Sequence, residues 1–224
     1  MKKDILRTSA LWGRGLVLAL LSVSLVALFT QYAYAQVRFA KTYGGTNSEE
    51  YNRVQRTSDG GYIVTGRTSS FGAGSSDIFL IKTDVYGNIQ WAKTYGGSSW
   101  EYASSAQQTS DGGYIVAGYT NSFGAGNSDF FLIKTDASGN IIWVKTYGGI
   151  NDDNASSVHQ TSDGGYIVAG STYSFGAGDR DFFLIKTDAN GNIQWAKTYG
   201  GTNGEWANSA QRTSDGGYIV VGLT

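Results

Sequence analysis

The 224-residue sequence has no cysteine, no proline and a single histidine, His159. Without cysteine there is no disulfide framework, no thiolate-bound zinc, no iron–sulfur cluster and no thiol catalysis. One histidine leaves no multi-histidine metal centre. Charged residues are sparse at 16% and aromatics reach 14%, which excludes a coiled coil and a polar disordered tail. Glycine is in excess: 32 residues, about twice the usual share of roughly 7%.

Long apolar runs are also missing, with one exception near the start. Lys2, Lys3, Arg7 and Arg14 precede an uncharged stretch from Gly15 to Thr30, and Ala33-Tyr34-Ala35 supplies a small-x-small pattern. That order predicts a secretory signal peptide over residues 1–35, cleaved after Ala35. The apolar stretch is shorter than the roughly 20 residues of a spanning helix, so membrane attachment is expected only through an uncleaved signal. The expected location is extracellular or at the cell surface. Removing four bases and one acid takes the chain from 17 bases and 18 acids to 13 and 17, a net charge of −4. Nucleic acid, whose binding needs clustered Lys and Arg, is not an expected partner.

The rest, residues 36–224, is one unit written about three and a half times. KTYGG begins at Lys41, Lys93, Lys145 and Lys197, and SDGGYIV at Ser58, Ser110, Ser162 and Ser214, each 52 residues apart. FGAG recurs from Phe71, Phe123 and Phe175, and FLIKTD ends at Asp84, Asp136 and Asp188. Within the second copy, three runs (Tyr114–Thr120, Phe130–Ile133 and Ile141–Val144) are rich in β-branched and aromatic residues. A weaker fourth strand, Ala103–Thr109, carries only small apolar residues. No window has helical spacing. Asp111-Gly112 predicts a type I′ hairpin pair, and Asp136-Ala137-Ser138-Gly139-Asn140 a type I turn with a G1 bulge.

Four antiparallel strands per tandem unit predict the blade of a β-propeller in an all-β chain. The repeated motifs resemble the secreted β-propeller repeats of bacteria and archaea, in particular the group of seven-bladed-type repeats, over Gln36–Thr224. The resemblance implies a propeller with no assigned activity. Thr109–Tyr114 also resembles the structural Asp box of sialidase propellers, but has Val116 where that motif has an aromatic residue. With a fourth-strand equivalent at Val37–Tyr43 the count is 15 strands, one short of four closed blades. The expectation is an incomplete propeller of about 3.5 blades from a larger ring. Four-blade closure and self-association through open blade edges are the alternatives.

Several residues are candidates for chemistry. An acid lies four residues after the second glycine of every YGG: Glu49, Glu101, Asp153 and Glu205. In a propeller these would ring one channel mouth and could take Ca²⁺ or a cationic ligand, or simply bond their own loops. No other cofactor is expected. Asp84, Asp136 and Asp188 open D-x-x-G-N turns, and Asp59, Asp111, Asp163 and Asp215 sit in Asp-Gly hairpins; turn formation explains both sets. The FGAG loops lack the helix and Lys-Ser/Thr pair of a phosphate loop. His159 replaces the Gln55, Gln107 and Gln211 of the other copies and reads as a hydrogen-bonding substitute. Trp100 and Trp206, on the acid-bearing loop, could stack on sugars or grip a protein.

Repetition offers the same groups around a ring, whereas catalysis usually needs unlike groups converging. The expected function is therefore a non-enzymatic extracellular binding or scaffold surface, its partner a protein or a glycan. The alternative is a glycan-active hydrolase or lyase, which would require His159 to meet two carboxylates in a cleft.

Overall fold

The computed structural model describes residues 39–224; the signal segment and its cleavage site lie outside the described residues. Glycine turns and β-branched runs produce three four-stranded antiparallel sheets. The first is β1 (Glu49–Arg56), β2 (Tyr62–Thr68), β3 (Asp77–Thr83) and β4 (Ile89–Tyr95). The second is β5 (Glu101–Gln108), β6 (Tyr114–Thr120), β7 (Asp129–Thr135) and β8 (Ile141–Tyr147). The third is β9 (Asp153–Gln160), β10 (Tyr166–Thr172), β11 (Asp181–Thr187) and β12 (Ile193–Tyr199), and a fourth sheet holds only β13 (Trp206–Arg212) and β14 (Tyr218–Leu223).

Each sheet is an up-and-down meander whose first strand packs on the sheet before it. Thus β5 lies against β1, β2 and β3, β9 against β5, β6 and β7, and β13 against β9, β10 and β11. The result is an all-β, blade-like and unclosed propeller-type arrangement. Ile63, Ile78, Leu80 and Tyr95 of the first sheet close on Ala103, Ala106, Tyr114, Val116, Phe131 and Ile133 of the second. The next junction repeats the scheme with Ile115, Phe130, Leu132 and Tyr147 against Ala155, Val158, Tyr166, Val168, Phe183 and Ile185. Covered on both faces, β3 and β7 are buried along their whole length, as their unbroken apolar runs require.

The innermost strands show how two alanines three residues apart come to share one face. Strict alternation would point Ala103 and Ala106 to opposite sides. A bulge shifts the register between Ala103 and Ser105, and both alanines are buried. Equivalent bulges interrupt β1, β9 and β13. At the bulge the carbonyl of Tyr102 presses against Gly118, where any side chain would collide with it.

Two expectations need correction. The Asp-Gly hairpins are not type I′, because Asp111 keeps negative φ and only Gly112, at +83°, crosses over. Gly112 N–H donates to Thr109 O at 2.9 Å and Thr109 N–H to Gly113 O at 2.9 Å, the pattern of a type I turn with a G1 bulge. Asp111 Oδ1 accepts from Thr109 Oγ1 at 2.6 Å and from Gly113 N–H at 3.0 Å, which holds it in that conformation. Second, the described part of the first expected strand, residues 39–43, forms no strand. Side chains hold Lys41 and Tyr43 instead: Lys41 Nζ donates to Asn88 Oδ1 at 2.5 Å and Tyr43 Oη to Gly87 O at 2.8 Å. Lys93 and Tyr95 make the same contacts to Asn140 (3.4 Å) and Gly139 (2.7 Å) of the following sheet.

A lysine is buried in the third strand of each complete sheet and leans on the aspartate of its hairpin. Lys82, Lys134 and Lys186 reach Asp59, Asp111 and Asp163 at 2.8, 2.9 and 2.8 Å. Lys82 also donates to Gln90 Oε1 at 2.9 Å and Lys186 to Gln194 Oε1 at 3.0 Å. Lys134 has Ile142 at that position and keeps only Asp111 and the Thr135 carbonyl, at 2.9 Å. We expect Asp111→Ala to cost about 2 kcal/mol, below the roughly 3–5 kcal/mol of a fully buried pair because water reaches the aspartate. Asp59→Ala should cost about half as much, since Gln90 remains. Urea-unfolding midpoints compare the two, and equal losses would show that Gln90 contributes nothing.

Candidate functional site

All blades share one orientation, so the starts of the innermost strands, the ends of the second strands and the FGAG loops gather at one end. The four acids also lie at this end. Glu101, Asp153 and Glu205 are buried and Glu49 is half-buried. Glu101 Oε2 accepts from Gly97 N–H at 2.8 Å and its Oε1 from Thr120 Oγ1 at 2.7 Å. Asp153 Oδ2 accepts from Gly149 N–H and Ser174 Oγ, both at 2.7 Å. Glu49 accepts from Thr68 Oγ1 at 3.0 Å, and Glu205 from Gly201 N–H at 3.3 Å. Each carboxylate therefore ties down its own YGG loop. Among the described residues no group of three or more His, Cys, Asp or Glu side chains is arranged to hold a metal ion.

A second carboxylate stands beside each buried acid of the three junctions: Asp77 by Glu101, Asp129 by Asp153 and Asp181 by Glu205. The two flank the first glycine of the loop (Gly96, Gly148 or Gly200), where a Cβ would meet both. Backbone N–H groups of the FGAG loops neutralise this second set: Ala73 and Gly74 donate to Asp77 Oδ2 at 3.0 and 3.2 Å, and Gly126 to Asp129 Oδ2 at 3.1 Å. Asp153 is one methylene shorter than its glutamate counterparts, and its Oδ1 is buried without a partner. Burial raises the pKa of Asp129, and the charge of Asp153 adds to the rise.

The turn aspartates hold the opposite end. Asp84, Asp136 and Asp188 each accept from backbone N–H groups two and four residues on, and from the Asn side chain of the same turn. Asp215 accepts from Gly217 N–H at 3.1 Å. His159 also lies toward this end, near the finish of β9. Asp153, at the start of the same strand, is six residues and about 20 Å away at roughly 3.3 Å per residue. Burial lowers the His159 pKa, and the positive charge of Arg53 lowers it further. In the column it shares with glutamines, Gln107 Oε1 accepts the Gln160 N–H at 2.9 Å and Gln55 Oε1 the Gln108 N–H at 3.3 Å, stitching one innermost strand to the next.

Trp100 and Trp206 stand exposed at the acid-bearing end, and each meets an arginine. Arg67 lies 5.7 Å from the centroid of Trp100 and 5.8 Å from that of Tyr102, and forms an ion pair with Glu50 at 3.0 Å. Tyr102 stacks on Tyr119 at 5.4 Å and donates to Glu50 Oε1 at 3.1 Å. Arg180 lies 4.5 Å from the centroid of Trp206 and 5.0 Å from that of Tyr173. Sequence reading found the two tryptophans but not Arg67, Tyr102, Tyr119, Tyr173 or Arg180. The available signal was variation between copies: the cross-strand pairs Glu50–Arg67, Tyr102–Tyr119, Asn154–Ser171 and Trp206–Leu223 occupy equivalent positions and differ every time.

The sheets and this aromatic rim define a tandem-repeat, propeller-like β protein. No protein-family model matches the chain. It is 25% identical over 217 residues to the regulatory protein FlaEY of Caulobacter vibrioides, covering 82% of this chain and 23% of that protein. The chain thus spans about a quarter of that relative's length. A crystal structure of a protein of unknown function from Bacteroides caccae superposes with a TM-score of 0.49 at 13% identity, covering 80% of this chain and 55% of the other.

Buried Asp129 and half-buried His159 give opposite pH slopes. A raised folded pKa means the folded state binds the Asp129 proton more tightly, so this term stabilises as pH falls toward 4. A lowered folded pKa at His159 means the unfolded state protonates first, so that term destabilises as pH falls below about 6.5. We expect Asp129→Asn to raise the melting temperature at pH 7 and to remove stabilisation on acidification. His159→Gln should flatten the loss between pH 6.5 and 5. Melting curves of both variants from pH 4.5 to 7.5 check the signs.

Proposed function

We propose that this chain is a secreted, non-enzymatic β-propeller repeat protein that serves as an extracellular binding surface, its working face being the rim that holds Trp100 and Trp206. The observation that carries this reading is where the copies differ. Positions that build junctions and turns are nearly invariant, whereas two facing columns at this end, which run from buried Ser171 through half-buried Tyr102 to exposed Trp206, change among Glu, Tyr, Asn and Trp, and among Arg, Tyr, Ser and Leu. A purely structural rim would have no need of large exposed aromatics, which are the residue types that supply contact energy to sugars and proteins. The N-terminal leader pattern supports export. The reading gives His159 no catalytic role, since its charged neighbour is Arg53.

Affinity electrophoresis in gels cast with neutral and acidic polysaccharides tests the reading. We expect retardation by at least one polymer, reduced at least fivefold by Trp100→Ala combined with Trp206→Ala, with no reducing ends or unsaturated uronates released. Release of either product would replace the binding surface with a hydrolase or a lyase. No retardation by any polymer would remove glycans as its ligands.

A further inference from the structure

We propose that the junction between the third and fourth sheets is a receptor for a carboxylate-bearing sugar ring, with Arg180 pairing with the carboxylate and Trp206 stacking on the ring. This rests on the binding-surface reading and gives it a ligand class. Trp206 and Tyr173 cover the Arg180 guanidinium, and cation–π contact of this kind orients the cation without neutralising it. Among the described residues no carboxylate lies within ion-pair reach of Arg180 and no hydrogen bond forms to its side chain; its Nε is buried without an acceptor. A planar cation held by rings, with unmet N–H donors, is suited to two-point recognition of a carboxylate.

The other junctions supply internal controls. Between the first and second sheets, Arg67 is also set against two rings, but Glu50 neutralises it at 3.0 Å. Between the second and third, Ser128 replaces the arginine and its hydroxyl lies 3.4 Å from Asp152 Oδ1. The residue equivalent to Asp152 at the last junction is Gly204, bridged to Arg180. Compared with the junction before it, the last one therefore gains a base and has no acid beside it; Ser48 and Trp100 fill the position of Gly204 in the other copies. Space is not the reason for the glycine: a Cβ on Gly204 would meet Trp206 and Arg180 only at 3.5–3.8 Å, ordinary contact, and its φ is not left-handed. Trp206, 42% exposed, offers a flat apolar surface that the C–H face of a pyranose can cover. A uronic acid carries both features on one ring, whereas an acidic peptide side chain has no ring face for the tryptophan.

Titration of the full chain with trigalacturonate, its methyl ester and hexaglutamate, followed by calorimetry, tests this. We expect trigalacturonate to bind at least tenfold more tightly than the ester or the peptide. Arg180→Gln and Gly204→Asp, the latter supplying an internal carboxylate, should each weaken it at least tenfold, while Arg212→Gln at the far end of β13 changes it less than twofold. Circular dichroism verifies folding, and Arg180→Gln alone decides if Gly204→Asp misfolds. Equal affinity for acid and ester, both lost in Trp206→Ala, would overturn the role of Arg180 and leave the binding face intact. Equal affinity for hexaglutamate would overturn the sugar. No binding of trigalacturonate, with retardation by another polysaccharide, would overturn this ligand class only; failure with every polymer would remove the wider reading as well.

Discussion

The fold depends on one fit: the back of each sheet against the front of the next. No sheet has a core of its own. Ile115, Leu132 and Phe130 are buried only because Val158, Val168 and Phe183 belong to the sheet that follows. Burying side chains of this size contributes roughly 1.5–3 kcal/mol each, and no disulfide assists. Polar groups then set the alignment. Tyr95 and Tyr147 reach into the next sheet's turn to donate to Gly139 and Gly191, and the glutamines of the innermost strands cap the neighbouring backbone. Apolar contact drives the stacking; these directional bonds fix its phase.

The same junctions decide what the YGG acids do. Their spacing in sequence is compatible with a ring of carboxylates around an opening; in the structure Glu101, Asp153 and Glu205 are buried at one end of the sheets. The first glycine of each YGG has no side chain, so the carboxylate folds back onto its own loop, and Glu101, Asp153 and Glu205 are enclosed against the sheet before them. That outcome could not be read from one copy, because the walls of the enclosure come from two.

Much of the architecture was legible because a repeat states each local preference several times. The strands beginning at Tyr62, Tyr114, Tyr166 and Tyr218 start where β-branched runs meet Asp-Gly-Gly turns. Turn type was misread, since Asp-Gly suits two hairpin geometries and only the side-chain bonds of Asp111 select between them. The bulge was written in the three-residue spacing of Ala103 and Ala106, a faint sign against strict alternation. The arginines of the rim carried no motif. Arg180 and Trp206 are 26 positions apart, on different sheets, and their meeting depends on the angle at which those sheets stack.

Val54, at the front of the first sheet, is 65% exposed, whereas Ala106 and Val158 in the same position are covered. Ile219, at the back of the last, is 56% exposed, whereas Ile63, Ile115 and Ile167 are sealed. The two ends of the arc are thus matching halves of the joint already used three times inside it. Nothing in such a joint records how many units have gone before. A unit of 52 residues added or removed inside the arc would meet the same two faces at its seam, so the joint itself does not set the number of copies.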